Sequence, residues 1–77
     1  MSPLDQLGAM AVFARIVETL SYTQAAASLG VAKSSVSKDI ARLEASLGVV
    51  LLRRTTRRIE VTEIGRAYYT YCARLLA

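Results

Sequence analysis

Apolar residues recur along this chain mostly at steps of three and four, and they alternate with a polar residue at Ile59-Glu60-Val61. The first spacing is that of helices packed on one face, and the second that of strands. Met10, Phe13, Val17 and Leu20 form one stripe, widened by Leu7 and Ile16. It predicts a first helix from Pro3 to about Thr19 or Leu20, with all six residues in the core. A short helix is expected from about Tyr22 to Leu29, where Ala25, Ala26 and Ala27 offer a slim surface on which another helix can sit closely. Val36, Ile40, Leu43 and Leu47 then mark a longer helix from about Lys33 to Leu47.

Polar residues and glycines punctuate these stripes. Ser2 can cap the first helix, with Pro3 at its first position and Asp5 in its positive first turn. Ser21 and Gln24 stand at capping-box spacing. Gly30 and Gly48 fall where a chain leaving a helix needs a left-handed residue. Ala32 precedes the longer helix and has no side-chain acceptor for its free N–H groups. Residues 21–48 therefore read as helix, tight turn and helix.

Beyond Gly48 the character changes. Val49-Val50-Leu51-Leu52 is short, apolar and rich in β-branched residues, so a brief strand is expected after an irregular link. Residues 53–58 have the polarity of a hairpin tip, and Ile59-Glu60-Val61 reads as the return strand. Together 49–61 predict a small two-stranded wing. Thr62 and Glu63 open a last helix with two apolar stripes, Ile64/Tyr68/Tyr71/Leu75 and Gly65/Tyr69/Cys72/Leu76. One stripe suffices to dock the helix on the domain. The second is expected to leave Tyr69, Cys72 and Leu76 exposed for a partner helix. The final Leu75-Leu76-Ala77 carries no helix stop signal and reads as the front of a longer protein.

Charge narrows the function. The chain has 77 residues and a net charge of +4. Its positive excess lies in residues 33–58, where Lys33, Lys38, Arg42, Arg53, Arg54, Arg57 and Arg58 face only Asp39 and Glu44. Such a concentration favours a polyanion. With no histidine and one cysteine, the usual zinc sites and Ser-His or Cys-His nucleophile pairs cannot be built. No Gly-rich phosphate loop is present, so an enzyme is not expected, and neither is a cofactor or a metal. The N-terminus lacks the basic start of a signal peptide, and no apolar run approaches a membrane span, which makes the cytoplasm the default. The Lys33, Ser34, Ser35, Ser37 and Lys38 front of the longer helix suits a DNA major groove. A solvated polar face remains the alternative for that segment alone.

The order of helix, helix-turn-helix, wing and long helix resembles the N-terminal winged helix-turn-helix domain of LysR-type transcriptional regulators. Four segments carry the resemblance: Phe13–Glu18 (FARIVE), Ser21–Leu29 (SYTQAAASL), Ser35–Gly48 (SVSKDIARLEASLG) and Leu51–Gly65 (LLRRTTRRIEVTEIG). It implies a mainly α fold with a small β-wing, made of a DNA-binding domain over 1–61 and a linker or dimerisation helix over 62–77. It also implies a bacterial sequence-specific regulator of transcription that forms dimers and often tetramers, with an effector-sensing C-terminal domain beyond this chain. By the same resemblance, Lys33, Ser34, Ser35, Ser37 and Lys38 begin the recognition helix, where the family often has Gln at Lys33 and Arg at Lys38. Arg57 would enter the minor groove and Arg54 the DNA backbone. Thr23 and Gln24 would lie near phosphates, and Arg42, Arg53 and Arg58 join the expected DNA-binding set. A protein-interaction module and a nonspecific nucleic-acid binder are the competing classes.

Overall fold

The computed structural model describes residues 2–56 and 58–77. In chain order it contains α1 (Pro3–Thr19), α2 (Tyr22–Leu29), α3 (Lys33–Leu47), β1 (Leu52–Arg54), β2 (Ile59–Val61) and α4 (Glu63–Leu76). Helices α1, α2 and α4 start where their caps predict. Ser2 Oγ accepts from the Asp5 N–H at 3.2 Å, Ser21 Oγ from the Gln24 N–H at 3.0 Å, and Thr62 Oγ1 from the Gly65 N–H at 3.0 Å. Ala32 makes no side-chain cap; its carbonyl takes the Ser35 and Val36 N–H groups, which leaves those of Lys33 and Ser34 to water or a ligand. Gly30 and Gly48 end α2 and α3 in the left-handed conformation, at φ of 69° and 71°.

Helix α1 packs on α2, α3 and α4, and Phe13 and Ile16 at its centre are wholly buried. Ala25 and Ala26 of α2 and Val36, Ile40 and Leu43 of α3 close the same core. Two of the six expected α1 core residues lie outside it. Leu20 is 54% exposed because it ends the helix in a left-handed turn, and Leu7 sits on the solvent side of the first turns. Ala9 and Val12 supply buried contacts instead.

The wing is antiparallel, with Leu52 opposite Val61, Arg53 opposite Glu60 and Arg54 opposite Ile59. Its first strand starts later than the run Val49–Leu52 suggests. The Glu44 carboxylate accepts from the backbone N–H groups of Leu51 and Leu52, and Thr62 takes the carbonyl of Leu51. The Thr62 bond continues the register of the ribbon, and the paired strand itself runs Leu52–Arg54, so Arg53 and Arg54 belong to a strand and not to the tip.

On α4 neither apolar stripe is buried as a whole. Gly65 and Cys72, the small residues of one stripe, are buried, and Tyr69 beside them is half-buried. Ile64, Tyr71 and Leu75 of the other stripe are 51%, 55% and 51% exposed. Close approach decides one point of this: a Cβ added at Gly65 would overlap the Leu51 carbonyl oxygen, so the helix can rest there only on a glycine. The expectation that Cys72 faces a partner is therefore corrected. Tyr69 is also engaged within the chain, donating to Glu18 Oε2 at 2.9 Å, whereas Leu76 is exposed.

Tyr68 fills the space between α4 and Phe13, with ring centroids 5.6 Å apart. Its hydroxyl is closed to water and makes no hydrogen bond of good geometry among the described residues. Burial first, then the Cys72 thiol beside it, push the phenol from 10.0 up to about 12. The folded chain thus keeps a proton that the unfolded chain has already lost. That contribution is complete below pH about 10 and fades as the pH rises towards 12. Tyr68→Phe is expected to match or slightly exceed the parent in urea unfolding at neutral pH, since it removes an unpartnered hydroxyl. At about pH 11 it should retain more of its neutral-pH stability than the parent does.

Candidate nucleic-acid interface

The site is built on the back-to-front division of α3. At 100° per residue, Ser34, Lys38, Ala41 and Ala45 lie opposite Val36, Ile40 and Leu43. The three apolar residues are buried, and the four opposite them are exposed. Lys33, Ser35 and Arg42 flank this face in the open, and Ser37 is half-buried at its edge. The face is narrow in its middle because Ser34, Ala41 and Ala45 are small. A rigid surface of that shape can enter a groove without moving its backbone.

The other expected residues stand on two neighbouring elements. Thr23 and Gln24 are exposed in the first turn of α2. Thr23 lines an open cleft of about 260 Å³ with Arg54, Thr55, Thr56 and Arg58, so the start of α2 faces the wing. The Arg54 guanidinium lies over the Tyr22 ring, 4.4 Å from its centroid, which holds the cation at the cleft wall. Burial pushes the Tyr22 phenol up, an effect that Arg54 opposes and Glu44 reinforces. Arg53 is exposed on the opposite side of the ribbon, across from Glu60. Arg57 lies outside the described residues.

Among the described residues the ion pair of the chain joins Arg15 to Glu18 at 3.4 Å, away from this face. The described cations from Lys33 to Arg58 are thus left to an external anion. No group of three or more His, Cys, Asp and Glu stands together among the described residues to hold a metal. No helix among them is long and apolar enough to cross a membrane.

Three participants escape sequence reasoning. Ala41 shares the exposed face of α3, but an alanine gives no signal by type. Tyr22 reads as an ordinary first-turn residue, although it becomes the platform for Arg54. Glu44 joins α3 to the wing, and its only sequence signal is its place as a lone acid between the basic positions of α3 and the wing.

The family model described as bacterial regulatory helix-turn-helix protein, lysR family, matches residues 7–66. The HTH-type transcriptional activator AaeR of Escherichia coli (strain K12) is 47% identical over 73 residues, which is 95% of this chain and 24% of that protein. The chain thus spans about a quarter of the length of this relative. The crystal structure of the BenM_DBD/catB site 1 DNA complex is similar with a TM-score of 0.87 at 37% identity, covering 91% of this chain and 78% of that one. The structure of full-length CbnR complexed with its target DNA has a TM-score of 0.87 at 34% identity, covering 91% of this chain and 24% of that one.

Proposed function

The chain belongs to the lysR family of bacterial regulatory helix-turn-helix proteins, and from that premise we propose that it binds double-stranded DNA at a defined sequence to regulate transcription. The observation that carries this reading is the exposed Ser34/Lys38 face of α3, braced from behind by a buried apolar stripe and flanked by cations that form no ion pair among the described residues. That face enters the major groove, with Ser34 and Lys38 at base edges and the Ala41 methyl near a thymine methyl. Lys33, Ser35 and Ser37 reach bases or adjacent phosphates. Thr23, Gln24, Arg42, Arg53, Arg54 and Arg58 hold the backbone, and Arg57 probes the minor groove. Phosphate contacts supply most of the affinity, and α3 with the wing supplies the sequence preference.

The activity is binding without a cofactor, and it acts on chromosomal DNA in the bacterial cytoplasm. A protein of the relatives' length would add an effector-sensing domain to this one and could assemble as a dimer or tetramer. The discriminating substitution is Lys38→Ala, titrated against an operator duplex and a scrambled duplex. A base contact predicts a loss of about 1–3 kcal/mol on the operator and a smaller one on the scrambled duplex. Equal losses on both would make Lys38 a phosphate anchor only.

Two copies associate through α4. What supports this is the exposed stripe of Ile64, Tyr71 and Leu75, which continues into an apolar trough with Leu47, Val49 and Tyr68. Two-fold pairing sets the recognition helices about one DNA turn apart, ~34 Å, on one face of the duplex. Tyr71→Glu places a charge in the middle of that stripe and is expected to weaken the dimer by at least about tenfold while the helical circular dichroism stays unchanged. Sedimentation reads the effect. A parent chain that sediments as a monomer at high concentration would sink the α4 dimer.

A further inference from the structure

The Glu44 side chain leaves the last turns of α3 and does not turn to solvent. Its Oε2 accepts from the Leu51 N–H at 2.7 Å and from the Leu52 N–H at 3.2 Å. Leu51 and Leu52 are buried, so these two donors have no water to turn to. On the far side of the same segment, Thr62 donates its N–H to the Leu51 carbonyl at 3.0 Å, and its hydroxyl meets the Val50 carbonyl at 2.7 Å. Two residues beyond Leu52, Arg54 rests on Tyr22. The entry to the wing is therefore tied to the recognition helix by one carboxylate, seven and eight residues away in sequence.

We infer that Glu44 is a positioning residue, which fixes the wing against α3 so that the major-groove helix and the minor-groove wing engage DNA as one rigid unit. The inference rests on the DNA-binding reading above and adds to it a residue that need not touch DNA. Electrostatics alone predicts the opposite effect for this position. A carboxylate between cations repels phosphate, so losing its charge should tighten binding at every sequence. Loss of the two hydrogen bonds should instead free the wing from α3 and weaken it.

Glu44→Asp and Glu44→Gln separate reach from charge. Asp keeps the charge but falls one methylene short of the two N–H groups, whereas Gln loses the charge and keeps an acceptor oxygen at the same reach. The experiment uses the whole chain and an operator duplex enriched from a random pool. It reads affinity, hydroxyl-radical protection of the minor groove under the wing, and guanine N7 protection in the major groove under α3. The expected result for Glu44→Asp is about tenfold weaker binding, with wing protection lost and guanine protection kept. Glu44→Gln should bind at least as well as the parent and keep both protections. The inference is overturned if Glu44→Asp behaves as the parent, if Glu44→Gln weakens as much as Glu44→Asp, or if both protections fade together in Glu44→Asp. A parent chain that protects neither groove overturns the DNA-binding reading itself, which is a separate outcome.

Discussion

Raising the monovalent salt from about 50 to about 200 mM is expected to weaken duplex binding by about three orders of magnitude per protomer. The expectation follows from the number and placement of the cations. Lys33, Lys38, Arg42, Arg53, Arg54 and Arg58 are all exposed, and none is in an ion pair among the described residues. If each neutralises one phosphate, binding releases roughly 0.9 counterion per contact, and the logarithm of affinity falls with that of salt at a slope near −5. Cations already neutralised within the fold would add little to this slope. Fluorescence anisotropy on one operator duplex over a salt series measures it directly. A slope near −1 would mean that the basic surface is solvated without meeting a backbone, and would contradict the interface described above.

Phe13→Ala is expected to remove a large share of the fold's stability. Phe13 is wholly buried in the middle of α1, the helix that packs on α2, α3 and α4, and its ring meets Tyr68 of α4. Truncating such a residue costs about 3–5 kcal/mol through lost burial and the cavity left behind. A chain of this length has a total stability of only roughly 4–11 kcal/mol. The midpoint of thermal unfolding should fall by at least about 15 °C. By contrast Leu20→Ala, on a side chain left largely in solvent, should shift it little. Similar shifts for the two variants would contradict the placement of the core.

The legible parts of this fold were those written in local chemistry. Ser21, Gly30 and Gly48 delimit the helix-turn-helix because a capping hydroxyl and a left-handed glycine act on neighbours a few residues away. The Val36/Ile40/Leu43 stripe, in turn, decides which face of α3 is left to a ligand. The misread parts depend on contacts between distant segments. Val49–Leu51 has strand composition, yet Glu44 and Thr62 take its polar groups first. In α4 the bulky stripe looked like the buried one, but the Leu51 carbonyl admits only Gly65, and Ile64, Tyr71 and Leu75 are turned outwards while Tyr68 packs on Phe13. Side-chain size, which usually measures burial, failed at Gly65, because the helix approaches the Leu51 carbonyl too closely there for any larger residue.

The same division runs through the candidate site. The cations and serines were visible as types and spacings, because their role depends on exposure and charge. Tyr22 and Ala41 carry no such mark. Tyr22 matters only once β1 brings Arg54 across its ring, and Ala41 only once the backbone of α3 is turned with Ser34 and Lys38 outwards.

The central claim is that this chain recognises a particular duplex sequence. It is tested most directly by selecting fragments from a random duplex pool with the purified chain at near-physiological salt and sequencing what is retained. The account predicts enrichment of an inverted repeat, with its two halves centred about one helical turn apart. Retention of all fragments without a common motif would contradict it and leave only a basic, nonspecific surface.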